Sequence, residues 1–195
     1  MRGELPRRLF HVFGSLAIAV AGLVIPDRLF LPLLISAVVG FVGLDAARFF
    51  SPRVNRWFLR VFHVMMRDRE KARITGASYV ALGAVLAFFL YDNVVAAMAV
   101  CFLAVGDPVS GVIGGKWGGL LTRKKSLASS AGCLAVCLAV AAVFACGLGV
   151  PIGVAGIGAF FAAVIESLPL PVDDNLTIPV VSGGAATLAQ LLCAA

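Results

Sequence analysis

Long apolar runs alternate along this chain with short connections that hold nearly all of its charge. A membrane-spanning helix needs about 20 mostly apolar residues, with a range of about 17–25. Seven runs meet or approach that length: 9–25, 29–49, 74–91, 93–114, 127–149, 151–168 and 178–195. The Pro26-Asp27 turn separates the first two, and Gly147 to Pro151 separates the fifth and sixth. The pattern predicts an all-α integral membrane protein of about seven transmembrane helices, forming a single polytopic domain over residues 1–195. The first run follows Arg7 and Arg8 as a signal peptide would, but another long span succeeds it at once. It is therefore read as part of the mature bundle.

The 48–73 connection has a different period. Arg53, Arg56, Arg60 and Arg67 recur at helical spacing, with Trp57, Phe58, Val61 and Met65 on another face. That pattern predicts an amphipathic helix lying in the membrane interface with its cations toward headgroups.

Charge fixes the threading. The N-terminus, the 48–73 connection and the 115–126 connection carry fifteen of the sixteen Lys and Arg residues, leaving only Arg28 elsewhere. By the positive-inside bias these segments face the cytoplasm. The expected location is the cell membrane, with the site on its cytoplasmic side. Hydrophobic residues make up 61% of the chain and charged residues 13%, far from the roughly 45–50% and about 25% of a soluble domain. The net charge of +6 sits in short loops, where membrane orientation and anionic lipid account for it without nucleic acid. Cys101, Cys133, Cys137, Cys146 and Cys193 lie in apolar runs and read as small buried hydrophobes. Glycine-rich span faces permit close helix packing and would also permit a homodimer.

Carboxylates inside such a chain are costly, and they point to chemistry. Asp107 lies in Gly106-Asp107-Pro108 within the fourth apolar run. Gly106 is expected to break the helix there, Asp107 to cap a new one and Pro108 to open it. Gly111, Gly114, Gly115, Gly118 and Gly119 then lead into Lys116 and Arg123-Lys124-Lys125-Ser126, a loop suited to phosphate. Glu166 and Asp173-Asp174-Asn175 form a second acidic cluster at the same membrane face. Such carboxylates beside a basic loop are a usual way to hold Mg²⁺ against nucleotide phosphates. Glu4, Arg7, Arg8 and His11 share one helix face where the first span enters the membrane.

Taken in order, these motifs resemble a known family. Glu4-x-x-Arg7-Arg8-x-x-His11, Thr75-Gly76-Ala77-Ser78-Tyr79, Gly106-Asp107-Pro108, Lys125-Ser126, Glu166 and Asp173-Asp174-Asn175-Leu176-x-x-Pro179 are similar to the CTP-dependent polyprenol kinase family. Dolichol kinase, phytol kinase and yeast-type diacylglycerol kinase belong to it, and phosphatidate cytidylyltransferase is related. After Lys125-Ser126-Leu127 the family usually reads Glu-Gly-Ser, whereas this chain has Ala128-Ser129-Ser130.

The resemblance implies transfer of the γ-phosphate of CTP to the hydroxyl of a membrane lipid alcohol, with Mg²⁺. Asp107, Glu166, Asp173 and Asp174 would serve the metal and phosphates. Lys116, Lys124, Lys125, Ser126, Arg7, Arg8 and Asn175 would contact the nucleotide. Asp107, Asp174, Glu4 and His11 would carry the chemistry, with Asp107 as the candidate base. A cytidylyltransferase acting on phosphatidate shares the donor, metal and membrane, and stays open as the alternative. A CDP-alcohol phosphotransferase is disfavoured: Asp45-Ala46-Ala47-Arg48 matches only a fragment of its signature. A transporter with ion-binding aspartates would fit broken helices, but the sequence contains no internal repeat.

Overall fold

The computed structural model describes residues 4–63, 66, 68–116 and 126–194. Among them the regular elements are all helical. In chain order these are α1 (Glu4–Val24), α2 (Asp27–Ala47), α3 (Pro52–Phe62), a 3-10 turn (Asp68–Ala72), α4 (Gly76–Leu90), α5 (Asn93–Lys116), α6 (Leu127–Leu148), α7 (Ile152–Ser167) and α8 (Asp174–Ala194). Helices α1, α2, α5, α6 and α8 are long and apolar enough to cross a membrane by length and composition. Helices α4 and α7 are apolar but shorter, at 15 and 16 residues.

Helix α5 is the axis of the bundle. It packs against α1, α4, α6, α7 and α8, and Val95, Ala96, Ala97, Met98, Val100, Phe102 and Ala104 are sealed from solvent. Alanine and glycine dominate these contacts, because lipid supplies no hydrophobic drive and small residues let backbones approach closely. At Gly83 of α4 a Cβ would come within 2.6 Å of the Asn175 carbonyl oxygen on α8. That contact fixes α4 against the start of α8. Leucine, valine and phenylalanine side chains point outward on α1, α2 and α6 (Phe13, Val20, Leu33, Val39, Val143), as a lipid-facing surface requires.

Two expectations need correction. The helix does not break at Gly106-Asp107-Pro108; α5 runs through all three. Pro108 removes one backbone donor, but a helix packed within protein tolerates that when neighbours meet the freed groups. Gly106 serves packing instead: a Cβ there would lie 2.9 Å from Cys133 Sγ and 3.2 Å from Cys137 Sγ. The cysteines also divide. Cys133 and Cys137 are buried against α5, whereas Cys146 and Cys193 are exposed on the apolar exterior.

The amphipathic segment forms α3 as expected, capped by Ser51, whose hydroxyl accepts from the Val54 N–H. Phe58 anchors it in the core, while Trp57 and Val61 are exposed; Met65 and Arg67 lie outside the described residues. The final span begins earlier than its apolar run suggests, at Asp174, so Asp174 and Asn175 belong to its first turn. Asp173 organises that turn. Its Oδ1 accepts from the Asn175 backbone N–H (3.1 Å) and side-chain Nδ2 (2.7 Å), an Asx turn that starts the helix.

Candidate functional site

A buried ion pair that the sequence reading did not single out shapes the polar end of the bundle. Asp45 and Arg48, one turn apart at the end of α2, are 0% and 2% exposed. Arg48 Nε donates to Asp45 Oδ1 at 2.7 Å. The rest of the guanidinium donates to the carbonyls of Glu70, Lys71 and Arg73. Asp45 Oδ2 accepts from the Thr75 N–H (2.8 Å), the Thr75 hydroxyl (2.9 Å) and the Ser78 hydroxyl (2.6 Å). One carboxylate thus holds the start of α4, and one guanidinium holds the 3-10 turn before it. The Phe58 ring lies 5.0 Å from the Arg48 guanidinium carbon and covers the pair. The available signal was a carboxylate and an arginine three residues apart at the end of an apolar run, which is costly unless they pair.

The clamp holds Glu70, itself only 7% exposed, where two clefts meet. The first cleft, of about 250 Å³, is lined by the polar side chains of Arg7, Arg8, His11, Glu70, Asp107 and Asn175. Phe10, Ile18, Phe41, Val80 and Ala81 supply its apolar lining. Five elements build it: α1, α2, α4, α5 and α8, with the 3-10 turn closing the rim. The second cleft, of about 330 Å³, is lined by Glu70, Arg73, Tyr79, Asp173, Asp174 and Thr177, with a wall from Ile165 and residues 168–172.

Of the N-terminal face, Arg7, Arg8 and His11 line the first cleft. Arg8 Nη2 donates to the Gly111 carbonyl at 3.3 Å, tying α1 to α5 just beyond Asp107. His11 Nε2 lies 4.0 Å from Asp107 Oδ2 and 3.5 Å from the Leu103 carbonyl oxygen. The imidazole and carboxylate therefore face each other across the cleft, each partly exposed to it, at 13% and 22%. That arrangement can accept and relay a proton.

The acidic cluster divides. Asp107 opens into the first cleft and Asp173 and Asp174 into the second, while Asn175 reaches the first. Glu166 is buried on the last turn of α7 and lines neither cleft. Among the described residues no three His, Cys, Asp or Glu side chains gather as a metal cluster. Ser126 caps α6: its hydroxyl accepts from the Ser129 N–H (3.1 Å), and its own N–H donates to Ser129 Oγ (2.9 Å). Lys124 and Lys125 lie outside the described residues. Glu4 and Lys116 are described only as backbone, at the start of α1 and the end of α5.

A divalent cation bound with a nucleotide needs only one or two carboxylates, since phosphates and water complete its shell. Glu70 at the seam and Asp173 and Asp174 beside it are oxygen donors of that type, so the donor set fits Mg²⁺.

Fold and site together define a polytopic helical membrane protein with a cleft lined by two arginines, a histidine and carboxylates. The chain is 28% identical over 200 residues to the CTP-dependent diacylglycerol kinase 1 of Schizosaccharomyces pombe, covering 92% of this chain and 90% of that one. An uncharacterised protein of Methanocaldococcus jannaschii is also 28% identical, over 179 residues, with 90% and 88% covered. No family model and no solved structure matches. The chain is thus similar along most of its length to a CTP-dependent lipid kinase, as the order of its motifs implied.

Proposed function

We propose that the protein is a CTP-dependent lipid kinase that phosphorylates the hydroxyl of a membrane alcohol, either a diacylglycerol or an isoprenoid alcohol, at the cytoplasmic face of the cell membrane. One observation carries this reading: a single cleft lined both by Phe10, Ile18, Phe41, Val80 and Ala81 and by Arg7, Arg8, His11 and Asp107. Such a cleft suits a hydroxyl on a hydrocarbon chain. The similarity to a CTP-dependent diacylglycerol kinase supports the donor.

In this mechanism the alcohol lies along Phe10, Ile18 and Val80 with its hydroxyl at Asp107. The donor occupies the polar cleft between Arg73, Tyr79 and the start of α8, and its γ-phosphate reaches the seam at Glu70. Lys116, Lys124, Lys125 and Ser126 are assigned to the donor by the resemblance alone. The hydroxyl oxygen bonds to the γ-phosphorus as the bond from that phosphorus to the β–γ bridging oxygen breaks, releasing CDP. Asp107 takes the hydroxyl proton, and His11, 4.0 Å away, orients the carboxylate and shares the charge. Arg7 and Arg8 neutralise charge on the transferring group, which is most of what phosphoryl transfer asks of a protein. Magnesium held by Glu70 with Asp173 or Asp174 would neutralise donor phosphates.

The test is the product made by detergent-purified protein from CTP, Mg²⁺ and separate diacylglycerol, polyprenol, phytol and phosphatidate. CDP with a phosphorylated alcohol is expected. Pyrophosphate with a CDP-lipid would overturn the kinase reading in favour of a cytidylyltransferase.

A further inference from the structure

Four glycines of the bundle face a close neighbour. A Cβ at Gly22 would strike the Phe88 ring, one at Gly83 the Asn175 carbonyl oxygen, one at Gly106 the sulfurs of Cys133 and Cys137, and one at Gly183 the Tyr91 ring. Each lacks a side chain because something else needs the space, the usual role of glycine where helices pack in lipid. Gly14 on α1 differs. A Cβ there meets nothing within 4 Å, yet Gly14 is half-buried and lines the first cleft. Gly40 and Gly43 on α2 also meet nothing, but they are exposed and line neither cleft. A glycine inside a helix costs stability relative to alanine, and at Gly14 no neighbour accounts for it. The space it leaves belongs to the cleft.

Phe10, Gly14 and Ile18 recur at every fourth residue and all line that cleft, so they stand one above another on one side of α1. The result is a notch between two large side chains. His11, which faces Asp107, precedes Gly14 by three residues, about 4.5 Å along the helix axis. A chain bonded to a hydroxyl at Asp107 therefore comes level with the notch about four bonds on, at the reach of an extended backbone. Membrane alcohols differ most at that distance. A diacylglycerol has already branched into a second acyl chain, whereas an isoprenoid alcohol continues as one chain with methyl branches.

We propose that Gly14 is the specificity-determining position of the acceptor site: its notch takes the second chain of a diacylglycerol, so the cleft favours a two-chain acceptor over an isoprenoid alcohol. One chain follows Ile18 and Val80, and the notch gives the other room to diverge. The part this plays in turnover rests on the kinase reading, whereas the binding preference rests on the cleft alone.

The test compares the wild type, Gly14→Ala and Gly14→Leu as full-length proteins in detergent, with dioleoylglycerol and phytol as the two lipids. Both side chains enter open space, so the unfolding midpoint should hold or rise. With CTP and Mg²⁺, Gly14→Leu should lower kcat/KM for dioleoylglycerol at least about tenfold, the smallest effect of one misfitting methylene in an apolar pocket. The values for phytol and the KM for CTP should hold, and Gly14→Ala should fall between. A wild type that prefers phytol, a Gly14→Leu protein with unchanged preference between the lipids, or a lowered midpoint in Gly14→Ala would each overturn the proposal. Binding without nucleotide is read on the same samples as the rise in midpoint that each lipid produces. A wild type that makes no CDP, but whose rise with dioleoylglycerol alone is lost in Gly14→Leu, supports the notch and removes the kinase reading. CDP formed equally well from dioleoylglycerol by the wild type and Gly14→Leu removes the notch and leaves the kinase.

Discussion

Replacing Arg48 by leucine tests the structural logic most directly. The side chain donates to one carboxylate and three carbonyls, and it is 2% exposed. Leucine fills much of the space but leaves Asp45 as a buried charge that has lost its counter-ion. Removing one member of a buried pair costs about 3–5 kcal/mol. Asp45 keeps its three donors from Thr75 and Ser78, so the lower half of that range applies to α2 and α4 themselves. The carbonyls of Glu70, Lys71 and Arg73 lose their donor entirely, and the damage should concentrate there. About 4 kcal/mol is nearly a thousandfold in an equilibrium constant. Hydrogen exchange over residues 68–75 should accelerate by about that factor, well before global unfolding. The midpoint in detergent should fall by roughly 10 °C. Asp45→Leu combined with Arg48→Leu should recover part of the loss, because no unpaired charge is then buried. An Arg48→Leu protein with wild-type exchange over 68–75 and a midpoint within about 2 °C would refute the clamp.

Further outcomes are expected at four other positions. Asp107→Asn should lower turnover by about 10²–10⁴-fold, the usual worth of a general base, with CTP binding retained in a thermal-shift assay. Gly83→Ala drives a methyl to within 2.6 Å of the Asn175 carbonyl oxygen and should cost about 1–3 kcal/mol in detergent unfolding. Gly40→Ala meets nothing within 4 Å and should be neutral in the same assay. Ser126→Ala removes half of the reciprocal cap on α6 and should cost about 0.5–2 kcal/mol; Ser126→Thr should restore it.

The helices were legible because an apolar run of membrane length has few other uses, and the face shared by Arg7, Arg8 and His11 followed from helical spacing alone. What stayed hidden were relations between distant segments. Nothing local in Asp45 or Arg48 says that they reach residues 70–78, since that contact depends on how α2 lies against α4. Glu70 was lost among the cations of its own segment, although the fold turns it inward. The break expected at Gly106 failed for a physical reason. Glycine and proline propensities describe a helix alone in water, whereas α5 is enclosed by five others and Gly106 admits the sulfur atoms of Cys133 and Cys137. Glu166 and Asp174 fall in one acidic cluster in sequence, but Glu166 is buried on α7 while Asp174 lines the second cleft.

The depth of Asp107 has a consequence for traffic. It lies nine residues before the end of the 24-residue α5, about 13 Å along the axis at 1.5 Å per residue. The whole helix, about 36 Å long, exceeds the roughly 30 Å of bilayer hydrocarbon by only a few ångströms. With α5 crossing the bilayer, the proposed acid–base pair of His11 and Asp107 would lie below the plane where lipid phosphates float. A neutral hydroxyl can sink to that level at little cost, whereas a phosphorylated headgroup must shed its hydration to follow. On the proposed reaction, such a cleft admits its substrate by the absence of charge. By adding charge it then drives the product back to the surface, so turnover itself works as the exit valve.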